Sequence, residues 1–106
     1  MPKYMIIASY TAEGAKGLLK DGGSARRQVA EKAIASAGGA IESFYFGFGA
    51  DDAYVIFDAP DNASSAAAAL VVGSSGAINS RTVVLLTPEE IDQAAKRSAK
   101  YSPPGK

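Results

Sequence analysis

From Lys3 to Tyr10 the chain sets Tyr4, Ile6, Ala8 and Tyr10 against Met5, Ile7 and Ser9, so a strand here is largely apolar on both faces. A sheet solvated on one side needs apolar side chains on the other side only, so this strand calls for cover above and below. Ala40 to Phe48 and Ala53 to Asp58 repeat the pattern as a hairpin around the turn Gly49-Ala50-Asp51-Asp52, and Ile78 to Thr87 supplies a fourth strand. In the second strand the alternation puts Glu42, Phe44, Phe46 and Phe48 on one face and Ile41, Ser43 and Tyr45 on the other.

Helical signals fall between these strands. Thr11-Ala12-Glu13-Gly14 reads as a turn before a short helix over Ala15 to Lys20, ended by Gly22-Gly23. Ser24 reads as the cap of a longer helix whose apolar stripe of Val29, Ala30, Ala33, Ile34 and Ala37 lies opposite Arg26, Glu31 and Lys32. Gly38-Gly39 stops it. Asp61 caps a helix reaching about Val72, and its alanines Ala66 to Ala69 predict close approach to the sheet. Thr87, Pro88 and Glu90 form a capping box with proline in the first turn, and the helix after it carries Ile91, Ala94, Ala95 and Ser98 on its inner side.

The order βαββαβ plus a C-terminal helix predicts an α+β, ferredoxin-like fold with an antiparallel sheet in the order 4-1-3-2. It spans residues 1–101 as a single domain, with 102–106 as a disordered tail around Pro103-Pro104. Helices on one face leave Met5, Ile7, Ile41, Tyr45, Tyr54, Ile56 and the Val83 to Leu86 run on the other. An apolar face of that extent predicts a partner, here a second copy packed sheet to sheet as a homodimer, or a higher homo-oligomer: a dimeric α+β barrel.

Composition narrows the chemistry. The chain has 106 residues, no cysteine and no histidine, so disulfides, thiolate nucleophiles, zinc sites and histidine-dependent triads are excluded. Eleven basic residues against eleven acidic ones give no net charge and no general attraction to nucleic acid or acidic membranes. No run approaches the roughly 20 apolar residues of a membrane span. The expectation is a cytoplasmic protein with neither nucleic acid nor membrane as partner.

In this order the landmarks resemble the GYD-domain family. Tyr10-Thr11-Ala12-Glu13-Gly14 is similar to its opening Thr-x-x-Gly segment, and Arg27 sits where an arginine starts the long helix. Gly38-Gly39 with Phe44-Tyr45 resembles its Gly-Gly and aromatic strand, and Ala59-Pro60-Asp61 its Ala-Pro-Asp. Gly76 to Thr82 resembles its entry to the fourth strand. Gly49-Ala50-Asp51-Asp52 occupies the place of the naming Gly-x-Tyr-Asp turn, with Asp51 where the family has tyrosine. The resemblance runs from about Tyr4 to Glu90 and implies a ferredoxin-like, oligomerising fold without naming a reaction.

In the predicted sheet the end of strand one, the hairpin turn and the start of strand four share one edge. Tyr10, Thr11, Asp51, Asp52, Asn79 and Arg81 should therefore converge near a helix N-terminus. The ligand-binding candidates are Tyr10, Thr11, Asp52, Tyr54, Asn79 and Arg81. Arg81 suits a small anion or carboxylate, and Asp52 is either a base or the partner that orients Arg81. The plainer reading is that Asp52 and Arg81 simply pair. Asp51 and Asp52 point to opposite faces and chelate poorly, so no metal is expected, and no cofactor motif is present. Gly22 to Arg27 loosely resembles a phosphate cradle but lacks P-loop spacing and follows no strand, which favours a solvated loop.

The leading reading is a homo-oligomeric module that binds a small anionic or aromatic metabolite between sheet and helices. The alternatives are a cofactor-free mono-oxygenase, dehydratase or isomerase and a purely structural oligomer. In the enzyme Asp52 and Arg81 would be the catalytic pair, assisted by Tyr10 or Tyr54, by analogy of fold alone.

Overall fold

The computed structural model describes residues 1–47 and 49–105; Phe48 and Lys106, and with them the expected end of the second strand and of the tail, lie outside the described residues. The elements run β1 (Lys3–Tyr10), α1 (Ala12–Asp21), α2 (Gly23–Ser36), β2 (Ala40–Phe46), β3 (Ala53–Asp58), α3 (Asn62–Ser74), β4 (Ile78–Leu85) and α4 (Pro88–Lys96). The sheet order is β2-β3-β1-β4 with every neighbouring pair antiparallel. This is the expected α+β, ferredoxin-like arrangement with an extra C-terminal helix.

The core lies between the sheet and α2 and α3. Tyr4, Ile6 and Ala8 of β1 stand opposite Phe57, Val55 and Ala53 of β3, and all six are buried. Tyr4 and Phe57 stack with ring centroids 5.5 Å apart. The Tyr4 hydroxyl donates to Asn62 Oδ1 at 2.7 Å, which satisfies the polar end of a ring that is otherwise fully enclosed.

Three local expectations change. Thr11 to Gly14 is the first turn of α1 rather than a separate turn, because Thr11 is extended and its Oγ1 accepts the Gly14 N–H at 3.2 Å. Ser24 lies inside α2, which starts at Gly23 with no side-chain cap. Ile41 faces the core: a β-bulge between Ile41 and Ser43 pairs Ile41 with Phe57 and Ser43 with Ile56, so the faces swap within β2. The same slip turns Glu42 outward, where Lys3 Nζ reaches it at 2.9 Å and Asp58 at 3.0 Å. The hydrogen bonds to Glu42 and then to Asp58 hold the Lys3 ammonium above the ordinary lysine range.

Gly14 and Gly39 are close-approach positions. A Cβ on Gly14 would run into the Ala77 carbonyl, and one on Gly39 into the Asp58 carbonyl. These contacts seat the start of α1 on the loop before β4, and the start of β2 against the end of β3.

The outer face of the sheet is apolar as expected, apart from Ile41. Tyr45, Tyr54, Ile7 and Arg81 form one cross-strand row, and Ser43, Ile56, Met5 and Val83 the next. Tyr45 is 70% exposed. The expected inner side of α4 has nothing to face, since every residue of this helix is exposed.

Candidate functional site

The sheet divides the six ligand-binding candidates. Tyr10 is half-buried on the helix side, opposite Ile78. Tyr54 and Arg81 lie on the outer face, flanking Ile7. Asn79 is exposed and stands opposite Ser9, and Thr11 caps α1 while its Oγ1 also donates to the Gly76 carbonyl at 3.0 Å.

Asp52 does not orient Arg81. Its Oδ2 accepts the Tyr10 N–H at 2.9 Å and its own N–H donates to the Ala8 carbonyl at 2.8 Å, which locks the hairpin turn onto the end of β1. Arg81 instead approaches Asp51 at 3.6 Å, and Asp51 also accepts from Ser9 Oγ at 3.4 Å. That pair is open to water, with the Arg81 side chain 66% exposed, so screening leaves it little strength. Edge topology brought these residues near one another, but strand alternation sent their side chains to different sides.

A different arginine lines a partly enclosed space. Between the sheet and α2 and α3 is a cavity of about 80 Å³ whose walls include Tyr10, Phe44, Val55, Ala30, Ala33 and Ala68. Its lining is almost wholly apolar apart from the Tyr10 ring and Arg26. Arg26 Nε is sealed from solvent and has no hydrogen-bond partner among the described residues. The Arg26 side chain is half-buried, and a sealed N–H donor left without a partner is costly. Apolar walls with one convergent charged group are what a small-ligand pocket offers.

The sequence reading put Arg26 opposite the apolar stripe of α2, and the structure reverses that. Arg26 precedes Ala30 by four positions, and Ala33 and Ile34 by seven and eight, which is the spacing of one helix face. The signal was in the sequence, but reading Arg26 and Arg27 together as one solvated pair hid it. Arg27 does face solvent, paired with Glu31 at 3.1 Å.

No group of three acidic side chains is placed to hold a metal among the described residues. Among the same residues no helix is long and apolar enough to cross a membrane. Comparison with curated proteins and with solved structures gave no match. The family model described as the GYD domain matches residues 4–95, nearly the whole length of the described fold. The chain is a member of the GYD domain family.

Proposed function

We propose that this protein is a homo-oligomeric binding module for a small anionic molecule with a short apolar body, held between the sheet and the helices. The observation that carries this reading is the unpartnered Arg26 Nε at the wall of the apolar cavity. A carboxylate offers a guanidinium two oxygens in matching geometry, and the pair strengthens where water is excluded. The apolar tail then occupies the space lined by Ala30, Ala33 and Ala68.

Size selects within the anionic and aromatic ligands considered above. A cavity that admits benzene measures about 150 Å³, so 80 Å³ suits a short aliphatic tail better than an aromatic ring. The ligand class is a short-chain carboxylate of about butyrate size. The second copy would cover the outer face, where Tyr45, Tyr54 and Val83 are exposed beside Met5 and Ile56.

Titration calorimetry with butyrate, with 1-butanol as the uncharged control, tests the reading. Saturable binding of butyrate alone is expected, with at least tenfold loss in Arg26→Gln and no loss of melting temperature in that variant. Equal affinity of the two ligands, or of the variant and its parent, would refute it.

A further inference from the structure

On the helix side of the sheet α3 packs against β4, yet beyond the buried Ile78 the residues of that strand on this side stay exposed. Ser80, Thr82 and Val84 stand opposite Ala8, Ile6 and Tyr4 in the register, yet all three are exposed while their β1 partners are buried. Between β4 and α3 runs an open groove of about 820 Å³. Its α3 wall carries Ala66, Ala69, Leu70 and Gly73, and Leu70 is 74% exposed. Ser65, on the same wall, is 2% exposed, and its Oγ has no partner among the described residues.

The chain also holds a helix without a seat. α4 is nine residues long, and its Ile91 is 52% exposed. Helices shorter than about 12 residues are marginal in water without packing. Ile91, Ala94 and Ala95 recur at the spacing of one face, which gives a narrow apolar stripe suited to a wall of small residues.

α4 does not fold back over its own β4. β4 ends at Leu85 and Thr87 already caps α4, so a reversal would have to occur within Leu86-Thr87. Thr87 is extended, at φ −72° and ψ 159°. Its Oγ1 accepts the Glu90 N–H while the Glu90 carboxylate accepts the Thr87 N–H, each at 3.1 Å. Pro88 at the first helical position stiffens the same point. Every residue of α4 is accordingly exposed, with no strand of its own chain among the described residues covering it.

We propose that α4 of one copy seats in the α3–β4 groove of a second copy, and that the exchange is reciprocal about a two-fold axis. The groove is then an interaction surface for this chain's own C-terminal helix, distinct from the outer sheet face and independent of ligand binding. The chain has no cysteine, so introduced thiols are the only ones present. Ile91→Cys and Leu70→Cys, both at exposed positions, are purified separately, mixed, and treated with a short flexible bismaleimide whose reach spans the groove. Peptide mapping is expected to find position 91 joined to position 70 across two chains, in preference to 91–91 or 70–70 links. In a doubly substituted chain the main product is expected to be a covalent dimer. An intrachain link in that protein, or no 91–70 link in the mixture, would overturn the proposal.

Discussion

The backbone N–H of Tyr10 donates to Asp52 Oδ2 at 2.9 Å, which fastens the hairpin turn to the end of the central strand. This bond makes Asp52 a structural pin. Asp52→Ala leaves that amide without its charged acceptor, at a cost of about 1–3 kcal/mol. Urea unfolding should show the loss, while butyrate affinity at Arg26 stays within twofold of the parent. A large loss of affinity with unchanged stability would return Asp52 to the binding site.

Filling the cavity should separate ligand binding from stability. Ala33→Leu keeps a strong helix former in α2 and puts a branched side chain where the ligand's tail would lie. The expected result is at least tenfold weaker butyrate binding with a melting temperature equal to or above that of the parent. Calorimetry and a thermal melt on the same preparation measure both.

Gly14→Ala should be damaging even though alanine favours helices. The added methyl meets the Ala77 carbonyl, which accepts the Thr11 N–H at 3.0 Å, so relief of the clash shifts α1 or breaks that bond. Overpacking of this kind costs about 1–3 kcal/mol. A denaturant midpoint equal to that of the parent would contradict the tight seating of α1.

The outer face carries the second-copy claim. Tyr45→Glu places a charge at a 70% exposed position in the row with Tyr54, Ile7 and Arg81. Folding should survive, and light scattering on the eluted protein should show a lower assembled mass. An unchanged mass would remove this face from the interface.

Asp61 gives a pH signature. Its carboxylate accepts the Ser64 N–H at 2.8 Å at the start of α3, and that bond holds its pKa below the ordinary aspartate value. A lowered folded-state pKa stabilises the fold above the unfolded-state pKa and loses that contribution as pH falls through the folded one. Asp61→Asn keeps a neutral cap, so it should melt below the parent at pH 7, with the gap closing below about pH 4, the ordinary aspartate value. A gap that persists in acid would assign the effect to something other than the charge.

What the sequence disclosed was mostly local. Thr87, Pro88 and Glu90 sit within one turn of each other and formed the capping box as read; Asp61 capped α3 in the same way. Strand alternation and element order were enough for the sheet order, because sequential antiparallel strands have few ways to pair. The bulge at Ile41 was not legible, since it depends on the register against β3 and no glycine or proline marks it. The site was half legible. Topology placed Tyr10 and Asp52 together, but which face each side chain took depended on where each strand ended. Arg26 was missed because it was set opposite the apolar stripe of α2 and grouped with Arg27 as solvated.

The most direct test of the central claim is the Arg26 Nε–H resonance, followed by heteronuclear NMR while butyrate is added to the full-length protein. The account predicts a saturable shift of that resonance, together with shifts at Ala30, Ala33 and Tyr10, and none with 1-butanol. An Arg26 resonance that stays in place while Arg81 or other exposed arginines move would contradict it.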